Sequence, residues 1–566
     1  MSISYKVAAL IVITTLFASC TNQHAPDLVL LNGKVWTGES DDAFEEAIAI
    51  KANKIVAVGK SEEIKKLTGS KTEVIDLKGK LVTAGFNDAH THFLSGSLGL
   101  AEVDMLGTSN PEEVADRVNQ FIKINPTKEW ITGRGWQYTS FPNGLPDSET
   151  LRNISNEVAV FIKAYDGHSG WANKKALQLA GVDRTTKYNG FGEIVFDKNG
   201  EPTGALRESA MGLVSKHIPE LTKTEKLNAL RTGMKLAASL GITSVQNANG
   251  TAEEVNLFKE LLSNGELTMR YAAAFSANET TTEEDIAFFT KLKDSVGFNN
   301  PMLRADAIKF MIDGVIESHT AYMIEPYADI PASNPLAIGQ LAVPLEKYQQ
   351  LVSAFDKNGF RIYTHAIGDL GVRESLNAYE NAAKANGKRD SRHRVEHIET
   401  VSPDDIPRFA QLNVMPSMEP IHADPATVDV WAKAIGEQRL PWSFAWNELL
   451  KQHAYLVYSS DWPACIDINP IRGIHVAVTR RTPEGFPETG WIPEQKISAA
   501  QAMKAYTSAG AYSSFEENSK GKIKVGQLAD VIVFSQNLFT IDPMLTSQTK
   551  VMLTVFDGKI IYNVIE

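Results

Sequence analysis

Two histidines one residue apart, His90 and His92, close the stretch Leu81-Val82-Thr83-Ala84-Gly85-Phe86-Asn87-Asp88-Ala89. On an extended backbone, side chains at i and i+2 point to the same side. Both imidazoles can therefore converge on one cation at the end of a buried strand. A helical zinc pair would need i, i+4 spacing, as in H-E-x-x-H, and the sequence has no such match. Further along, more metal-capable side chains close apolar runs. His365 ends Arg361-Ile362-Tyr363-Thr364, His397 ends Arg394-Val395-Glu396, and Asp461 follows Val457-Tyr458-Ser459-Ser460. Lys309 lies on the run Ala305 to Met311, just before Asp313-Gly314. Any one of these reads as a satisfied core or loop residue, and Lys309 alone as a salt-bridge partner of Asp306 or Asp313. Their arrival at equivalent places points to a shared site.

The elements that must position them alternate strand-like runs with helical patterns, the mark of βα units. Eight runs qualify: Thr83–Ala89, Thr243–Asn247, Met269–Phe275, Leu303–Met311, Arg361–His365, Arg394–His397, Val414–Met418 and Tyr455–Ser459. Eight favour an α/β fold of the (β/α)8 TIM-like barrel type over an open doubly wound sheet. They place every candidate at or near a C-terminal strand end, where barrel enzymes carry their chemistry. The barrel is expected over 84–509. The gap after the first strand is far too long for one crossover, so an inserted subdomain over about 94–222 is expected, able to cover the barrel mouth. Residues 20–83 and 510–566 both read as short strands with turn signals, including a hairpin at Asn32-Gly33, and predict one composite β-sandwich built from both termini. No Gly-rich phosphate loop and no G-x-S-x-G elbow occurs.

The 566 residues carry a net charge of −12 and are 43% hydrophobic, which is globular and argues against nucleic acid or an anionic membrane surface as partner. Two cysteines, Cys20 and Cys465, exclude a disulfide framework, and Cys465 reads as a buried inert thiol. Residues 1–19 read as a signal peptide: Lys6, then an apolar stretch from Val7 to Ala18 too short to span a membrane. Phe17-Ala18-Ser19-Cys20 resembles the lipobox of bacterial lipoproteins, with Phe17 where leucine is usual. Lipidation at Cys20 is therefore expected, and with it an exported chain anchored in the bacterial cell envelope, on the periplasmic side or the cell surface. The alternative is a soluble exported protein cleaved nearby.

The order His90-x-His92, Lys309, His365, His397, Asp461 resembles the amidohydrolase superfamily. Flanking words narrow the resemblance to the family-3 amidohydrolases, a group that includes N-substituted formamide deformylase. Those words are Gly133-Arg134-Gly135-Trp136, Asp166-Gly167-His168-Ser169-Gly170-Trp171-Ala172-Asn173, Lys309-Phe310-Met311-Ile312-Asp313-Gly314, His365-Ala366-Ile367-Gly368-Asp369, Arg394-Val395-Glu396-His397 and Ser460-Asp461-Trp462-Pro463. The resemblance implies two divalent ions, of the zinc type. His90 and His92 would hold the more buried ion, and His365 and His397 the more exposed one. Lys309, carboxylated with carbon dioxide, would bridge the two. Asp461 would bind the buried ion and act as general base and then general acid. The resemblance also places His168 over the site as a donor to the developing oxyanion and tilts Trp136 toward substrate contact. His319, in Glu317-Ser318-His319-Thr320-Ala321, stands where many relatives have arginine and is a candidate pocket residue.

The function expected is hydrolysis of a non-peptide carbon–nitrogen bond, in an amide, N-formyl or N-acyl compound, by a hydroxide generated at the metals. A deaminase or an ester or lactone hydrolase would use the same site, because fold and metals do not fix the substrate. A non-catalytic surface binding lipoprotein is the alternative from another class. The expected partner is a small-molecule substrate, with the membrane reached only through the lipid anchor, and a homodimer is left open.

Overall fold

The computed structural model of the chain describes residues 25–142, 144–164, 169–189, 192–465 and 467–565. At its centre is an eight-stranded parallel sheet rolled into a nearly closed barrel. Its strands in chain order are Phe86–Thr91, Ile242–Gly250, Arg270–Ser276, Leu303–Met311, Arg361–Ala366, Arg394–His397, Met415–Met418 and Val457–Tyr458, each paired with its sequence neighbours. The seam between the eighth and first strands is closed by the backbone just beyond the eighth. Asp461 N–H donates to the His90 carbonyl at 2.8 Å, and His92 N–H to the Trp462 carbonyl at 2.8 Å. The bonds that close the barrel thus come from residues of the candidate site.

Helices Lys223–Ser239, Ala252–Ser263, Glu283–Val296, Leu345–Lys357 and Asp369–Asn386 follow the pattern expected of crossover elements. Three of them open with a capping box, at Thr222, Thr251 and Thr282, in which the threonine side chain and the acid three residues on satisfy each other's backbone donors. Their apolar faces bury Leu230, Phe258, Phe355 and Val372 against the strands in one continuous core.

The run that leads into His90 is two strands. Leu81–Ala84 belongs to a six-stranded sheet with Val531–Phe534, Val551–Phe556, Lys559–Asn563, Lys34–Trp36 and Phe44–Glu45. Gly85 then carries the chain into the barrel. A Cβ there would lie 2.2 Å from the Thr243 hydroxyl, so only glycine fits that crossing. A second, four-stranded sheet holds Leu28–Leu31, Ala47–Lys51, Lys54–Gly59 and Glu73–Asp76. The apolar residues between the two sheets, among them Leu30, Ile48, Val82, Val533 and Val555, come from both ends of the chain. Asn32-Gly33 makes no hairpin: Leu28–Leu31 and Lys34–Trp36 lie in different sheets. Asn32, at φ 54°, switches the chain between them, its side-chain amide held by Asp76 at 3.0 Å.

Between the first and second barrel strands stands a third sheet of six strands, from Val103–Asp104 through Trp130–Trp136 and Ala159–Ala164 to Pro202–Glu208. Helix Pro111–Ile124 covers one face, burying Val114 and Val118 with Trp136 and Ile162. Helix Lys174–Ala180 covers the other, with Phe161 and Leu206.

Candidate metal centre

His90 is the last residue but one of the first barrel strand, His365 the last but one of the fifth, and His397 ends the sixth. Lys309 sits two residues from the end of the fourth, and Asp461 follows the eighth by three. Parallel register brings these ends to one mouth. The His90 and His397 rings lie 4.9 Å apart by centroid, His90 and His92 5.6 Å, and His365 and His397 4.5 Å. Asp461 Oδ1 stands 3.1 Å from His92 Nε2 and 3.5 Å from His90 Nε2.

Each buried imidazole is held by its other nitrogen. Nδ1 of His90 lies 2.7 Å from Glu396 Oε2, and Nδ1 of His397 lies 2.9 Å from Glu419 Oε2. Nε2 of His365 lies 3.1 Å from the Gly314 carbonyl. A carbonyl only accepts, so Nε2 of His365 carries the proton and Nδ1 the lone pair. The carboxylates likewise fix the proton of His90 and His397 on Nδ1 and leave Nε2 basic, the arrangement found behind metal-bound imidazoles. Burial and the Lys309 charge push His90 far below the usual histidine range, and push His397 down to about 3. These rings are neutral at any physiological pH, as ligands must be.

Burial alone would raise the Asp461 carboxyl, but the adjacent His92 and His422 rings outweigh it and hold it below the usual carboxylate range. It is a carboxylate, yet among the described residues its buried Oδ1 accepts no hydrogen bond of good geometry. A buried charged acceptor 3.5 Å from the lone-pair Nε2 of His90 is short of a cation. One potential ligand atom each from His90, His397 and Asp461 falls within 4.8 Å of the others, and so do those of His397, Glu419 and His422. The donor set fits a divalent metal of the zinc type, which takes imidazole and carboxylate ligands.

Lys309 is buried with Nζ 3.4 Å from His90 Nε2, and no carboxylate among the described residues forms a salt bridge with it. Its two proposed structural partners are engaged elsewhere. Asp306 is clamped by Arg304 and Arg361, both at 2.6 Å, and Asp313 accepts the backbone N–H groups of Tyr322, Ile367 and Gly368. Burial lowers the affinity of the Lys309 amine for its proton.

Two residues of the cluster stand in strained backbone, His397 at φ 73° and Asp461 at φ 54°. The left-handed region costs an L-residue about 1–2 kcal/mol, and such strain concentrates at functional sites. A cavity of about 1920 Å³ opens above the cluster. The insertion supplies part of its wall through Asp104, Leu106, Gly133, Arg134 and Lys163, so it borders the cavity at the barrel mouth.

Trp136 is fully buried in the insertion's own core, its ring against Tyr138 and Phe141 and its indole N–H donated to the Ile162 carbonyl at 3.3 Å. The expected substrate contact is corrected accordingly: the neighbours Gly135 and Gln137 line the cavity and Trp136 does not. His319 is not among the lining residues either. It is held by Asp329 at 2.8 Å against the Tyr327 ring. Cys465, read as buried, is partly exposed in the cavity wall. His168 and Cys20 lie outside the described residues.

The sequence reading gave no role to Glu396, Glu419 or His422. Glu419 and His422 follow the seventh barrel strand in Glu419-Pro420-Ile421-His422, the one late strand end with no candidate assigned. His422 Nε2 stands 3.7 Å from Asp461 Oδ2, and its Nδ1 3.3 Å from Glu399 Oε1. Glu419 directly follows the apolar run Val414–Met418, the same position relative to its strand that marks the other candidates.

A parallel eight-stranded barrel with histidines, a lysine and an aspartate gathered at its C-terminal mouth defines a metal-dependent hydrolase. The amidohydrolase family pattern matches residues 73–562, and the chain belongs to that family. It is similar to the protein LONG AFTER FAR-RED 3 of Arabidopsis thaliana, 33% identical over 523 residues that span 90% of this chain and 87% of the relative. It is also similar to the N-substituted formamide deformylase of Arthrobacter pascens, 23% identical with 95% and 98% covered. Among solved structures, an uncharacterized metal-dependent hydrolase of Pyrococcus horikoshii superposes with a TM-score of 0.72 at 25% identity, covering 91% of this chain and 99% of that one.

Proposed function

We propose that this amidohydrolase cleaves a non-peptide carbon–nitrogen bond, an amide of the N-formyl or N-acyl type, at two divalent ions held by His90, His92, Lys309, His365, His397 and Asp461. The observation that carries the reading is Asp461, a buried carboxylate whose Oδ1 makes no hydrogen bond of good geometry among the described residues and lies 3.5 Å from the lone-pair Nε2 of His90 and 3.1 Å from Nε2 of His92. Likeness across nearly its whole length to a relative named as a formamide deformylase supports the substrate class. When bound, the ions supply a nucleophilic oxygen from water near neutral pH and polarise the substrate carbonyl. His90 and His397 keep their protons on Nδ1, toward Glu396 and Glu419, and present Nε2 to the site. Asp461 is ionised, so it takes the proton released on attack and returns it to the leaving nitrogen. With Oδ1 turned to the histidines, Oδ2 is the oxygen for that transfer. The neutral amine favoured by burial is the form of Lys309 that adds to carbon dioxide, and the resulting carboxylate would turn a buried amine without a salt bridge among the described residues into an anionic ligand.

Metal content per chain, in wild type and Lys309→Ala purified without added metal, tests the reading. About two ions falling to one or none in the variant supports the bridged site; equal content in both proteins removes Lys309 from it. Anchoring through a lipid on Cys20 is part of the proposal. A Cys20→Ser variant is expected to leave the membrane fraction, and an unchanged distribution would count against the anchor.

A further inference from the structure

Six large apolar side chains exposed to solvent line the cavity above the metal centre. Met311 is 51% exposed, Val430 61% and Leu221 42%, and with Leu100, Leu106 and Val315 all six line this one space. A single exposed apolar residue carries no message, whereas a group rimming a concave site marks a ligand surface. Two of the six lie beside the reacting end. Met311 is two residues beyond Lys309 on the fourth barrel strand and pairs in register with His365. Val315 follows Gly314, whose carbonyl holds His365. Leu100, Leu106 and Leu221 belong to the insertion, so the apolar wall has a barrel side and an insertion side. The wall carries charges of both signs, with more acids (Glu102, Asp104, Glu279, Glu317 and Glu399, besides Asp424 paired to Arg472) than bases (Arg134 and Lys163), which disfavours an anionic substituent.

We infer that the amide cleaved here carries a bulky, uncharged apolar substituent, an alkyl chain or an aryl ring, bound between the barrel residues Met311 and Val315 and the insertion residues Leu106 and Leu221. This inference rests on the proposed amide hydrolysis. The scissile group lies at the metal end, and the apolar substituent extends outward beneath the insertion. Substrates with small or charged substituents leave that wall wet and gain nothing from it.

The test uses the metal-loaded full chain and a series of N-alkylformamides from methyl to octyl. kcat/KM is expected to rise about three- to fourfold per methylene, the factor set by burying one CH2 group, until the cavity is filled. Met311→Asn and Leu106→Asn are expected to flatten that dependence. Val430→Asn serves as a further variant should either of those fail to fold. Displacement of the neutral fluorescent probe N-phenyl-1-naphthylamine is measured in parallel and needs no turnover. Graded displacement by longer chains, without hydrolysis of any member, would support the apolar site and reject the hydrolysis reading on which it was built. Hydrolysis that ignores chain length, or a probe that neither binds nor responds to chain length, would overturn the inference.

Discussion

Glu396 Oε2 lies 2.7 Å from His90 Nδ1, with both side chains sealed from solvent, and Oε1 of the same carboxylate accepts from Arg394 Nε at 2.7 Å. Arg394 continues the chain to Gln246 and to the Ala89 carbonyl. The nitrogen that His90 turns to the site is therefore set by a network reaching across the barrel interior. Glu396→Gln keeps the shape but offers an amide in place of an anion, and loses the fixed tautomer. Metal affinity, measured by competition with a chromogenic chelator, is expected to fall about 10- to 100-fold with the far-UV spectrum unchanged. Wild-type affinity in the variant would show that Glu396 does not orient a ligand.

Asp461→Asn removes the proton acceptor while leaving a carbonyl oxygen in its place. Turnover is expected to drop by about 10²- to 10⁴-fold, the range of general acid–base contributions. KM should move little, and most of the metal and the full thermal transition should be retained. A binding protein without turnover would show no functional change in the same variant.

The reach of the sequence was uneven, for physical reasons. Strand ends are marked by hydrophobic runs, so His90, His365, His397 and Asp461 could be placed from pattern alone. Glu396 could not, because an acid within a buried strand reads as an error of pattern until its histidine partner, 306 residues away, is seen. The sandwich was legible from β-rich ends, but Asn32-Gly33 misled: the local turn signal says nothing of which sheet the chain enters next. Trp136 misled in the opposite way, since its motif sits at the cavity while its ring packs inward.

Gly96 faces the ring of Trp462, where a Cβ would come within 2.3 Å. The Trp462 carbonyl accepts the His92 N–H, so moving Trp462 moves both His92 and the neighbouring Asp461. Gly96→Ala is expected to cost about 1–3 kcal/mol of stability, as overpacking does, and to lower turnover more than stability alone explains. Calorimetry with activity at a temperature where the variant is fully folded separates the two. Full activity in that state would uncouple Trp462 from the site.

Asp306 anchors the barrel through Arg304 and Arg361, both at 2.6 Å. Burial alone would raise its carboxyl, but the two guanidiniums outweigh that and hold it well below the usual carboxylate range. The folded state thus keeps the group ionised after the unfolded chain, near pH 4, has bound a proton. The stability it contributes is present in full above the unfolded pKa and is lost as pH falls below it. Asp306→Asn leaves buried guanidinium charge unpaired and is expected to cost about 3–5 kcal/mol at neutral pH. Its denaturation midpoint should also fall less steeply than wild type between pH 5 and 3. Parallel acid slopes would assign the pH dependence to other groups.

The most direct test of the account is to strip the wild-type protein with chelator, titrate zinc back, and follow hydrolysis of a panel of N-formyl and N-acyl amines against bound metal. Turnover that is absent in the stripped protein and returns in step with occupancy, up to about two ions per chain, is the predicted result. A well-folded protein that binds no metal after reconstitution, or that hydrolyses the panel equally without it, would contradict the assignment of His90, His92, Lys309, His365, His397 and Asp461 to a metal-dependent hydrolase site.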